Sequence, residues 1–142
     1  MHGEEWNGTV KKHQTLNSYK AKKAVHVLLS RPDEIRNVQD WAHNACISED
    51  WLRKILRKTY HKAPKQILRE VRFEMIIHLI EEQGWEAIAH GVAIDSGTGK
   101  NCKALHKFLK RHYDTTFTSL RKEVLTGKQI VKFMWLNGIS NE

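Results

Sequence analysis

The sequence predicts an all-helical protein made of two related helical units joined by a long helix. Three observations carry this. One is an internal repeat: Trp41-Ala42-His43 and Ala45-Cys46-Ile47 match Ile88-Ala89-His90 and Val92-Ala93-Ile94 at a spacing of 47, and Leu52-Arg53-Lys54-Ile55-Leu56-Arg57-Lys58 matches Leu105-His106-Lys107-Phe108-Leu109-Lys110-Arg111 at 53. A second is apolar residues at i, i+3 and i+4 spacing in both copies, as in an amphipathic helix. The third is an apolar-rich run bounded by Pro64 and Gly84, residues suited to the first turn of a helix and to the position just past its end.

Taken in order, residues 1–18 are polar and mixed in charge, and read as a loose segment offering Lys11 and Lys12 to phosphates, with Lys20, Lys22 and Lys23 following. Residues 19–63 form the first unit. Its short helix holds Trp41, Ala42 and Ala45; Ser48 is a good N-cap, and the next helix, about 49–59, turns Leu52, Ile55, Leu56 and Thr59/Tyr60 inward. Residues 64–84 are the linking helix, with Leu68, Val71, Met75 and Leu79 on one apolar side. The second unit, 85–125, places Ile88, Ala89 and Val92 in its short helix, Asn101 at the N-cap, and Leu105, Phe108, Leu109 and His112/Tyr113 on the inner face of a helix over 102–112. Residues 126–142 form a C-terminal extension in which 129–136 are rich in apolar residues, suited to packing back or meeting a partner.

The six residues 95–100, Asp95-Ser96-Gly97-Thr98-Gly99-Lys100, have no counterpart in the first unit in this alignment. They look like a phosphate cradle, and a nucleotide- or phosphate-binding protein built on them is one alternative function. The full motif needs a first glycine where Ile94 stands and a Ser or Thr where Asn101 stands, so two of its defining positions fail. The expectation is a structural loop.

Charge narrows the function further. With a net charge of +8 and a pI near 9.6, the chain attracts polyanions. A basic surface kept for solubility is the bland alternative. The cations, however, fall at equivalent places in the two units: Arg53, Lys54 and Arg57 with Asp50 in one, and Lys103, His106, Lys107 and Lys110 in the other. A helix, a turn and a second helix with a basic outer face is what a helix-turn-helix places in a major groove. A non-specific nucleic-acid binder, held by phosphate contacts alone, is the second alternative. His43 with Cys46 and Cys102 with His106 have metal-ligand spacing, but belong to separate units, so no metal site is expected. No catalytic constellation stands out, and neither an enzyme nor a cofactor is expected. No apolar run approaches the ~20 residues that span a bilayer, and the first residues carry no signal-peptide core. Two cysteines give no disulfide framework, so reduced thiols, a cytoplasmic, nucleoid-associated location and no membrane partner are expected.

From about Tyr19 to Leu125 the chain resembles the DNA-binding domain of the AraC/XylS family of bacterial transcription regulators. The resemblance rests on Trp41-Ala42, Ile47-Ser48 and Leu52, on Arg72 and Glu74, and on Ile88-Ala89, Val92, Leu105, Lys110 and Leu120-Arg121. It implies two helix-turn-helix motifs on a linking helix, base reading by Asp50, Arg53, Lys54, Cys102, Lys103, His106 and Lys107, and regulation of transcription. Phosphate contacts are assigned to Ser48, Arg57, Lys58, Lys100, Asn101 and Lys110. Double-stranded DNA bound by a monomer is the expected partner, with RNA polymerase as a second. The sequence departs from the family where Cys46 and Ala93 replace a turn glycine, Ile94 a phenylalanine and Phe117 a proline, and in the inserted loop. Members of the family often carry a separate sensing domain. The expectation here is a stand-alone regulator or an excised output domain.

Overall fold

The computed structural model describes residues 2–128, 130, 135 and 136, with side chains from residue 16 onward. These residues form seven α-helices and no strand. Helix α1, His2–Ser30, is followed by α2, Val38–Asn44, α3, Glu49–Tyr60, and the 20-residue α4, Pro64–Gln83. A 3-10 turn, Gly84–Glu86, leads to α5, Ala89–Asp95, α6, Cys102–Tyr113, and α7, Phe117–Leu125.

The caps explain the boundaries. Side-chain oxygens of Asn37, Ser48, Asn101 and Thr116 accept the backbone N–H of Asp40, Trp51, Ala104 and Ser119 at 2.8, 3.1, 3.0 and 3.1 Å. Each satisfies a donor that a helix start would leave unpaired. Helices α3 and α6 end alike, on His61 and Asp114 in the left-handed region, with φ 59° and 49°. Helix α4 starts on Pro64 and stops at Gly84, φ 68°, as its sequence predicts.

The first 18 residues are where expectation and structure part most plainly. The backbone is helical from His2, continuous with the rest of α1. No proline interrupts the chain before Pro32, and the residues are mostly fair helix formers. The side chains of Lys11 and Lys12 lie outside the described residues. Within α1, Ala21, Ala24, Val25 and Leu28 are buried, the stripe of a core-facing helix.

Two cores lie along α4. The first gathers the α1 stripe with Ile35, Trp41, Ala42, Leu52, Ile55, Leu56, Ile67, Leu68 and Val71. Trp41 is fully buried, and its indole N–H donates to the Ala24 carbonyl at 2.8 Å. The second joins Phe73, Ile76, Ile77 and Ile80 to Ala87, Val92, Ala93, Leu105, Leu109, Phe117 and Leu120. Serving two cores corrects the expected single stripe on α4: Leu68 and Val71 are buried, but Met75 and Leu79 are only half-buried, while Ile67, Phe73, Ile76, Ile77 and Ile80 are buried. A helix that serves a different core at each end buries more than one stripe, and the buried positions of α4 include neighbours such as Ile67 with Leu68 and Ile76 with Ile77.

Part of the C-terminal extension packs back. Trp135 joins the first core, its ring edge-on to Tyr60 at 4.8 Å, and its N–H donates to Glu70 Oε1 at 3.0 Å. The Leu136 N–H donates to Glu74 Oε1 at 2.6 Å, and Ile130 packs on the second core. Glu70 also accepts from Lys62 at 2.7 Å and Gln66 at 3.0 Å, which compensates its burial. The rest of the apolar run 129–136 lies outside the described residues.

Candidate nucleic-acid interface

The two helical pairs α2–α3 and α5–α6 close in the same way. In the first, Ala45 caps α2, Cys46 takes a left-handed conformation (φ 60°), and the Ile47 N–H returns to the Ala42 carbonyl at 3.1 Å. In the second, Ser96 caps α5, Gly97 is left-handed (φ 76°), and the Thr98 N–H returns to the Ala93 carbonyl at 3.0 Å. Residues 42 to 47 thus correspond to 93 to 98, a spacing of 51, while the N-caps Ser48 and Asn101 and the helices that follow keep 53.

This register corrects the one read from the sequence. The short helix of the second pair lies four residues, about one turn, further along than the Ile-Ala-His match implies. Ile88 precedes it, 69% exposed, instead of packing inside, and Val92 and Ala93 take the buried places of Trp41 and Ala42. The additional residues are two, Gly99 and Lys100, instead of six. Gly97 then stands at the left-handed turn position, so Ala93 replaces no turn glycine.

The turn is tight and internally bonded. The N–H groups of Gly97, Thr98 and Gly99 donate to Ile94 and Ala93 carbonyls, and Ser96 Oγ lies 2.7 Å from Thr98 Oγ1. A phosphate cradle directs such N–H groups outward at the ligand; here they are used within the turn. A Cβ on Gly97 would come within 2.1 Å of the Pro32 carbonyl oxygen, so this turn presses against the segment joining α1 to α2.

Helices α3 and α6 present the expected outward faces. Leu52, Ile55 and Leu56 are buried beneath exposed Asp50, Arg53, Lys54, Arg57 and Lys58. Leu105 and Leu109 are buried beneath exposed Cys102, Lys103, His106, Lys107 and Lys110. His112 is exposed and does not share the inner face with Tyr113, which is half-buried and stacks on Phe73. Two outward cations are held in ion pairs: Arg53 with Asp50 at 3.0 Å and Lys110 with Asp114 at 3.1 Å. Ser48 and Asn101 use an oxygen for capping, which leaves the hydroxyl hydrogen and the amide NH2 available to a phosphate. Lys100 is exposed beside Asn101.

The outer faces are legible in the sequence; a further set of cations is not, apart from Arg72, on which the family resemblance partly rests. Arg36, Lys65, Arg69, Arg72 and Arg111 line a cleft between the two units together with Phe108 and His112. The signal available was the i, i+4, i+7 spacing of Lys65, Arg69 and Arg72 on α4. His112 titrates below the ordinary histidine range, through partial desolvation and the positive charges of Arg69 and Arg111. Cys46 and Cys102 are exposed free thiols, and no cluster of three or more metal-ligating side chains occurs among the described residues. No described helix is long and apolar enough to cross a membrane. The chain matches no protein-family model, no curated protein and no solved structure.

Proposed function

We propose that the chain is a non-enzymatic, sequence-specific double-stranded DNA-binding protein that regulates transcription, with α2–α3 and α5–α6 as two helix-turn-helix motifs of the AraC type. Helices α3 and α6 read successive major grooves. The carrying observation is the duplication: two 12-residue helices, each with a side-chain N-cap, a left-handed turn residue shortly before it and a left-handed stop after the helix, each turning a basic face to solvent. A solvated charged face needs no such repetition.

In this reading Arg53 exchanges Asp50 for a guanine edge, Lys54 reads alongside it, and Asp50 accepts from a cytosine amine. Lys103, His106 and Lys107 meet the second groove, while Arg57, Lys58, Lys100 and Lys110 lie at the phosphates. The 20 residues of α4 make a rod of about 30 Å, against ~34 Å between major-groove faces on one side of B-DNA. Docking both helices therefore bends the duplex, at a cost of order 1–6 kcal/mol. The site is bipartite and non-palindromic, and one monomer binds it.

Selection from random duplex DNA tests this. The expected result is an enriched motif with two unlike halves centred roughly one helical turn apart. Binding with a steep salt dependence and no enriched motif would instead support non-specific phosphate binding.

A further inference from the structure

The five cations between the units have a different setting from those on the reading faces. Arg36 comes from the segment before α2, Lys65, Arg69 and Arg72 from α4, and Arg111 from α6. They surround a cleft of about 310 Å³, at the small end of the ~300–1,000 Å³ usual for ligand sites. No acidic side chain lines it. Four cations elsewhere have carboxylate partners: Arg53 has Asp50, Lys62 has Glu70, Lys110 has Asp114 and Lys128 has Glu123. Among the described residues none of the five forms an ion pair.

Convergent like charges repel, and a fold tolerates them at one cleft most readily when an anion neutralises them there. The arrangement is also partly built. Arg72 is half-buried, and its Nη2 donates to the carbonyls of Ile35 and Arg36, each at 3.0 Å, which ties α4 to the backbone that carries Arg36. Guanidinium groups suit phosphate because they offer planar, paired donors.

Position separates this cleft from the duplex-facing surface. At about 100° per residue, Lys103, His106, Lys107 and Lys110 occupy one arc of α6. Arg111, Phe108 and His112 lie about 90°, 150° and 170° from the centre of that arc. A duplex seated on the reading face does not reach Phe108 and His112 on the far side of the same helix, and Arg111 lies on the flank between that face and the cleft. We propose that the cleft walled by Arg36, Lys65, Arg69, Arg72 and Arg111 is a binding site for a small polyphosphate anion, distinct from the DNA-reading faces. Because its walls come from both units, an anion held there ties ligand binding to the relative setting of the two reading helices.

Calorimetric titration of the full chain with inorganic tripolyphosphate, without divalent metal, tests the site. Saturable one-to-one binding is expected, weakened at least about tenfold by Arg69→Ala and by Arg111→Ala, since each removes a charge-assisted hydrogen bond to the anion. Arg111 is exposed, so its replacement leaves the cores intact. Lys122→Ala, on the exposed surface of α7, removes the same charge and should leave binding unchanged. The bound anion should also raise the His112 pKa, followed by NMR. Absence of saturable binding would overturn the proposal, as would equal weakening by Lys122→Ala. So would variants in which Arg69→Ala and Arg111→Ala weaken duplex DNA binding but not tripolyphosphate binding, which would assign the cleft to the DNA footprint.

Discussion

The two helical pairs share one plan and differ in how they carry it out. The first is anchored by Trp41, bonded to α1, and turns through Cys46, a residue with a side chain in a left-handed conformation. The second has Val92 and Ala93 beneath its short helix and turns through Gly97, where only glycine fits against Pro32. Their outward faces differ too. That of α3 mixes Asp50 with Arg53 and Lys54, whereas the exposed residues of α6 from Lys103 to Arg111 include no acid. A mixed face can match donors and acceptors on particular bases, while a cationic face meets any phosphate. If the proposed DNA-binding function holds, the first unit supplies the discrimination and the second the affinity.

Removing the anchor should break the comparison most strongly. Trp41→Ala takes away a fully buried ring and its hydrogen bond, and should cost about 3–5 kcal/mol in denaturant unfolding followed by circular dichroism. Val92→Ala, at the equivalent place, removes fewer atoms and should cost less. Equal losses would mean that the two cores are not built on corresponding anchors.

The turns give a mirrored pair of changes. Gly97→Ala combines a left-handed backbone with a Cβ 2.1 Å from a carbonyl oxygen, and should destabilise by about 2–4 kcal/mol. Cys46→Gly removes a side chain from a left-handed position, and should be neutral or stabilising by up to ~1 kcal/mol. If both changes destabilise alike, the turns are not equivalent.

How the sequence was legible follows from these residues. Ser48, Asn101, Pro64 and Gly84 are local signals, and each sits at the helix boundary expected of it, so α3, α4 and α6 begin and end within a residue or so of where pattern places them. The Ala-His identities shared by Trp41-Ala42-His43 and Ile88-Ala89-His90 place the short helix of the second pair one turn too early, because identity does not show a constraint of the turn. That constraint is a left-handed residue four positions after a buried alanine, met by Ala42 with Cys46 and by Ala93 with Gly97. The contacts of Trp135 and Leu136 with Glu70 and Glu74 join residues more than 60 apart, and no local pattern encodes them. Glu70 and Glu74, four residues apart among the buried apolar positions of α4, are the trace they leave. The cationic cleft is not legible locally because its walls come from three separate segments.

Smaller effects should sharpen the division of labour between the faces. Arg53→Ala should relax one position of the selected motif, worth ~1–3 kcal/mol of discrimination, with other positions unchanged. Lys107→Ala should weaken binding to all sequences alike and lower the salt slope by about 1, read by anisotropy titration at several salt concentrations. The reverse pattern would exchange the roles of α3 and α6.

The most direct test of two readers on one rod is to insert about 5 base pairs, half a helical turn, between the halves of the selected site. The second half then faces the opposite side of the duplex, beyond the reach of a helix of about 30 Å. Affinity should fall to that of a single half-site, and a full-turn insertion should not restore it, because the rod does not lengthen. Unchanged affinity after the half-turn insertion would contradict simultaneous reading by α3 and α6.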